Sequence, residues 1–151
     1  MGDINLAYYE TKSAAGRLRK LGQFYSKFSD PSFEFMDGAS YMLVGTWLIE
    51  EDPEYTEIAV EFIRTCIKDR WVISGFHWHD WSQNDGAQFF ENPTFLMDAH
   101  PIDLAKTLTV IFGREHAKHG YLIEAYENGL LLTLVKRAQQ LSALETLQEA
   151  A

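Results

Sequence analysis

From Gly120 to Arg137 the chain reads GYLIEAYENGLLLTLVKR, and its apolar positions return every three or four residues. Leu122, Ile123 and Tyr126, then Leu130, Leu131, Leu134, Val135, Ala138 and Leu141, have the spacing of one helix face. Gly129 interrupts that face, where a glycine in a helix interior would cost about 1 kcal/mol relative to alanine. The stretch therefore predicts two helices jointed at Gly129, or a close helix crossing there, with the rest of the chain arranged around it.

Upstream, Ala14, Leu18, Leu21, Tyr25 and Phe28 repeat the pattern, while Lys12, Arg17, Arg19, Lys20 and Lys27 occupy other faces. An amphipathic helix is predicted over about 11–29, ending at Asp30-Pro31. Its basic face reads either as an anion contact or, more plainly, as a solvated surface. A further helix is predicted over about 53–69: Asp52 can cap it, Pro53 suits its first position, and Tyr55, Ile58, Ala59, Phe62, Ile63, Cys66 and Ile67 form a continuous stripe. Another begins at Asp98, carries Leu104, Leu108, Ile111 and Phe112 on one face, and ends near Gly113, leaving 114–119 as a link. The tail from Ser142 is helical by propensity, with Leu144 and Leu147 either docking on a neighbour or fraying.

Two stretches lack a sustained period. In 32–49, Phe33 and Phe35 alternate like a strand, whereas Tyr41, Val44, Trp47 and Leu48 also fit a helix. An extended piece at 33–36 followed by a helix or strand through Tyr41 to Ile49 satisfies both signals. Residues 71–95, WVISGFHWHDWSQNDGAQFFENPTF, mix aromatics, histidines and turn formers. Side chains as large as Trp71, Phe76, Trp78 and Trp81 are rarely left in water, so an ordered loop wrapped on the core is predicted. The expected fold is mostly α: a compact single domain, 1–151, of about five to six helices, with a short β piece around 33–49 and an ordered aromatic loop at 71–95.

Composition agrees. A chain of 151 residues, 46% hydrophobic, buries roughly 70% of the surface its unfolded form exposes and needs no covalent staple. The single cysteine, Cys66, permits no internal disulfide, and its place in an apolar stripe marks it as a small buried hydrophobe. No apolar run approaches the ~20 residues that span a bilayer, and the N-terminus has no signal-peptide pattern. A soluble, cytoplasmic protein is expected.

Charge changes the picture more. Nine acids and no Lys or Arg lie between Asp30 and Glu61, while the remainder carries 13 acids against 13 bases, so this segment accounts for the formal net charge of −9. Nucleic-acid binders need a cationic footprint, which argues against direct contact with phosphates. Glu50, Glu51, Asp52, Glu54, Glu57 and Glu61 crowd a helix entrance, where the dipole tolerates anions. Such a patch speeds encounter with a basic surface.

From Trp71 onward the chain also carries Trp71-Val72, Phe76-x-Trp78-x-x-Trp81, Leu108-Thr109, and Gly120-x-Leu122 followed by Tyr126-Glu127-x-Gly129-Leu130-Leu131. In these marks, over about 71–137, it resembles the bacterial family known as domain of unknown function 6508. His77 stands where that family usually has aspartate, His116 where it has arginine, and His119 where an acid precedes the glycine. The resemblance implies a compact, mostly helical domain found in bacteria and their mobile elements, and implies no activity.

Candidate chemistry is sparse. His77, His79 and Asp80 are suitable ligand types for zinc or non-haem iron, with His100, His116, His119 or Asp85 to complete a set. Their spacing matches no closed metal signature, and the plainer reading has both loop histidines pointing outward. Glu127, beside Gly129 in an apolar helix, reads as a site carboxylate or, more plainly, as the partner of Arg114 or a backbone amide. No phosphate loop, nucleophile elbow or Cys-His arrangement is present.

Three functional expectations result, and the first calls for no cofactor. The first is a non-enzymatic acidic binding module, with Glu50, Glu51, Asp52, Glu54, Glu57, Glu61, Trp47 and Tyr55 engaging a basic protein such as a nucleic-acid-binding one. By analogy of class, an inhibitor of the anti-CRISPR or anti-restriction type fits. The second is a metal-dependent enzyme using His77, His79 and Asp80; the third is a housekeeping interaction domain, homodimeric through its tail.

Overall fold

The computed structural model describes residues 4–36 and 55–150. Among these residues the chain forms eight α-helices and no strand. In chain order they are α1 (Thr11–Gly22), α2 (Phe24–Phe28), α3 (Glu57–Lys68), α4 (Trp78–Gln83), α5 (Ala87–Glu91), α6 (Pro101–Ala117), α7 (Tyr121–Glu127) and α8 (Leu130–Ala150). A 3-10 turn over Leu6–Tyr9 leads into α1, and another over Pro93–Asp98 leads towards α6.

The axis of the fold is α8. Its Leu130, Leu131, Leu134, Val135, Ala138 and Leu141 are buried, each leucine contributing about 1.5–3 kcal/mol through loss of water contact. α1 packs on it more extensively than any other pair of helices, burying Ala14, Leu18 and Leu21. That approach is close because α1 ends in Gly22: a Cβ built there would lie 2.6 Å from the Cα of Gln139 on α8. The joint predicted at Gly129 is present. Gly129 has φ +88°, a conformation L side chains rarely adopt, and Asn128 Oδ1 accepts the Leu130 N–H at 3.0 Å, capping α8 as α7 stops.

The predicted helix over 11–29 breaks into α1 and α2 around Gln23. That residue stays right-handed (φ −61°, ψ −24°), so the buried face continues, through Phe24 and Phe28, with Tyr25 half-buried. α3 begins at Glu57, with the Thr56 hydroxyl accepting from the Ala59 N–H at 3.4 Å. Asp52 and Pro53, the expected start, lie outside the described residues, as does most of the expected β piece at 33–49. Within the described residues that piece reduces to a single antiparallel bridge between Met36 and Tyr55, supported by Thr56 N–H donating to Phe35 O at 3.2 Å.

Two boundaries differ from the sequence pattern for packing reasons. α6 runs through Gly113 to Ala117, taking in most of the predicted link. Gly113 is a contact position rather than a stop, since a Cβ there would fall 2.5 Å from the Trp78 indole. The expected loop over 71–95 is largely helical, containing α4, α5 and the start of the second 3-10 turn. Each piece is only one or two turns long, too short to display a hydrophobic period. The aromatics hold the segment down as expected: Trp71 is fully buried, and Trp81 packs against Phe76, Phe89 and Phe90. Lys106 on α6 adds a cation over the Phe76 and Trp81 rings.

The tail is helical to Ala150, with Leu144 and Leu147 exposed on it. No described helix is long and apolar enough to cross a membrane.

The two helical glycines of α1 test the crossing. Gly22→Ala is expected to lower stability by about 1–3 kcal/mol, because the new methyl meets backbone that cannot step aside. Gly16→Ala, whose Cβ would meet nothing within 4 Å, is expected to raise it by about 0.5–1 kcal/mol. Denaturant unfolding of the two variants measures both, and equal effects would contradict the close α1–α8 approach.

Candidate functional site

The acidic segment is only partly described. Glu50, Glu51, Asp52, Glu54 and Trp47, together with Tyr41, lie outside the described residues. Glu57 and Glu61 stand exposed on the first half of α3. Tyr55, half-buried, packs edge-on against Phe35 and sends its hydroxyl to Glu115 at 3.4 Å.

Around Glu57 the surface is concave. A depression of about 630 Å³ runs between the end of α2, the turn at 30–34 and the start of α3, lined by Lys27, Asp30, Phe33, Glu34, Glu57 and Ile58, with Ser26, Ser32 and Thr56. Local chemistry shapes it. Asp30 Oδ1 accepts from both the amide (2.9 Å) and the hydroxyl (2.8 Å) of Ser32, which reverses the chain after Pro31. Those two donors hold the Asp30 carboxyl below the usual range, so it stays ionised further into acid. Thr56 Oγ1 donates to Glu34 O at 2.7 Å and pins that turn to the entrance of α3. Beneath lies an aromatic cluster, Phe28, Phe33, Phe35 and Tyr126, with ring centroids 5.0–6.0 Å apart.

Three exposed carboxylates, Asp30, Glu34 and Glu57, thus face one groove that also holds one cation, Lys27. Lys27 is paired with Glu61 at 3.4 Å, with both side chains well exposed, an interaction worth about 0–1 kcal/mol. Asp30 and Glu34 belong to the acidic segment, but nothing in the sequence places them opposite Glu57, because the turn that does so is closed by tertiary hydrogen bonds.

The metal candidates are not gathered. His77, His79 and Asp80 are all exposed, and His79 contacts the Gln83 amide on its own helix at 3.2 Å. Among the described residues no three His, Cys, Asp or Glu side chains converge as a ligand set. Cys66 is fully buried; burial, reinforced by the charge of Asp69, pushes its thiol well above the ordinary range and leaves it a packing residue.

Glu127 is exposed and does not meet Arg114, correcting the expected pairing. Arg114 instead donates to the Tyr121 hydroxyl at 2.6 Å and lies over the Phe90 and Tyr121 rings. At the bend between α6 and α7 the carboxylate that serves backbone amides is Glu115, which the sequence pattern did not single out. Glu115 Oε1 accepts from the N–H groups of Gly120 (3.1 Å) and Leu122 (2.8 Å), while Oε2 meets His119 Nδ1 at 3.2 Å. Its side chain is 12% exposed. A residue near the end of α6 therefore supplies the first turn of α7 with the acceptor that a capping side chain normally provides.

With the helical body and its acidic groove defined, the class of protein is a small, mostly helical domain. A family model described as a family of unknown function, DUF6508, matches residues 13–143, and the chain belongs to that family. The match takes in α1 to α7 and most of α8, extending well beyond the stretch from Trp71 that carries the visible motifs. No curated protein and no solved structure matches the chain.

Glu115→Ala is expected to destabilise the protein by about 1–3 kcal/mol, since it strands the Gly120 and Leu122 amides at a bend between two helices. Thermal unfolding of this variant beside Glu127→Ala, expected to stay within about 0.5 kcal/mol of the parent, checks the assignment.

Proposed function

We propose that the protein is a non-enzymatic binding module that presents its carboxylate groove to a basic surface on another protein. The observation that carries this reading is the convergence of Asp30, Glu34 and Glu57 on one concave face, opposed by a single lysine already engaged with Glu61. The groove is rimmed by short, hydrogen-bonded turns, and the Asp30 carboxylate is held in place by Ser32 before a partner arrives. That lowers the ordering cost of association. Phe33 and Ile58 supply apolar surface beneath the charges, against which the stem of a lysine or arginine can lie.

Surfaces of this kind on a partner are typical of proteins that handle nucleic acids, whose phosphate-binding faces are rich in Lys and Arg. An acidic module seated on such a face would compete with the nucleic acid, and inhibition of nucleic-acid-handling machinery of the anti-CRISPR or anti-restriction type is the proposed biological outcome. Glu50, Glu51, Asp52 and Glu54, which precede Thr56 and Glu57 in sequence, add to the negative charge of the chain.

A fluorescent oligo-arginine peptide provides the test. The parent is expected to bind it with an affinity that falls as salt rises, and the triple variant Asp30→Asn, Glu34→Gln, Glu57→Gln is expected to bind about tenfold more weakly with a shallower salt dependence. Neutralising Glu124 and Glu127, exposed on α7, should leave the affinity unchanged. Equal losses in the two variants would reduce the interaction to net charge and reject the groove.

A further inference from the structure

Further along α3 a second groove has the opposite character. It encloses about 510 Å³ between α3, the C-terminal half of α6 and the start of α7, within the range of small-molecule sites. Its walls are apolar: Val60, Ile63 and Phe112 are half-buried and Leu122 is buried. Around them stand Arg64, His116 and His119, all exposed.

Among the described residues the one acid lining this groove is Glu115. Its carboxylate is already committed, accepting from the Gly120 and Leu122 amides and meeting His119 Nδ1 and, at 3.4 Å, the Tyr55 hydroxyl. Among the described residues a cationic ligand would therefore face a guanidinium and two imidazoles with no uncommitted carboxylate to receive it. Arg64 makes no ion pair among the described residues, although the protein as a whole is strongly acidic. A permanent cation with no ion pair among the described residues, at the edge of an apolar groove, matches a ligand with one anionic end and an apolar body. Guanidinium pairs with planar carboxylate in a bidentate fork, and imidazole N–H groups can add donors.

We propose that this groove is a binding site for a small amphipathic carboxylate. The hydrocarbon lies against Val60, Ile63, Phe112 and Leu122, and the carboxylate meets Arg64 with His116 beside it. The site is independent of the acidic groove: it uses different residues, an arginine in place of the carboxylates, and a small ligand rather than a protein partner.

Octanoate, octanamide and octylammonium separate the contributions, because they share one alkyl chain and differ in head-group charge. Titration of the full chain, followed by amide NMR shifts, is expected to show octanoate moving the signals of Val60, Ile63, Phe112 and Leu122. Octanamide should bind there about tenfold or more weakly, and octylammonium more weakly still. Arg64→Gln is expected to remove the preference of octanoate over octanamide without changing the thermal midpoint, and His116→Gln to reduce it. Shifts centred elsewhere, equal binding of octanoate and octanamide, or a preference that survives Arg64→Gln would each overturn the proposal. So would the absence of binding by octanoate.

Discussion

The approach of α1 to α8 is the constraint from which the rest of the structure follows. Two amphipathic helices can bury their stripes against each other only as closely as the largest residue at the contact allows. Gly22 opposite Gln139 brings backbone nearly onto backbone. That closeness seals Leu18 and Leu21 completely and makes α8 a platform on which the other elements are placed. Arg137 on α8 donates through Nε to Ala99 O at 2.9 Å, tying the platform to the start of α6. Tyr126 on α7 donates to Phe28 O at 3.2 Å, tying the helix before the joint to the end of α2. A change of spacing at one contact would therefore be felt on every side of the core.

α3 organises the surface in the same way that α8 organises the interior. Its buried residues, Ala59, Phe62 and Cys66, fix its height and rotation against the core. Its remaining positions then have no choice of neighbour. Glu57 and Ile58 border the acidic groove, while Val60, Ile63 and Arg64 border the apolar one. An acidic surface and a largely apolar one thus sit on one element. In both, the groups that would otherwise compete with a ligand are already occupied: Lys27 by Glu61 in the first, and Glu115 by backbone amides in the second. Association at either face would need little rearrangement of the scaffold.

The aromatic stretch from Trp71 illustrates how local and tertiary effects divide the labour. Trp71 is buried whatever the details, because so large an apolar surface has nowhere else to go. How the chain folds around it depends on fit. Trp78 lies over Gly113, and Trp81 lies over Gly86, each at a place where a Cβ would collide with the indole. These glycines are gaps cut for tryptophans, and one of them sits in the middle of a helix that it would weaken if propensity alone decided.

The sequence by itself determined what depends on neighbours within one or two helical turns. The long stripes of α1, α3, α6 and α8, the joint at Gly129, the buried Cys66 and the concentration of acid between Asp30 and Glu61 were all legible, because periodicity, backbone freedom and composition are local properties. Tertiary structure decided what depends on pairs distant in sequence. It extended α6 through Gly113, broke the aromatic segment into short helices, and set Asp30 and Glu34 opposite Glu57. It also gave the amide-capping role to Glu115 rather than to Glu127. The physical reason is common to all of these. A short helix, a packed glycine and a satisfied carboxylate are stabilised by atoms that the chain brings near only after its long helices have docked, and no local pattern records where those atoms will be.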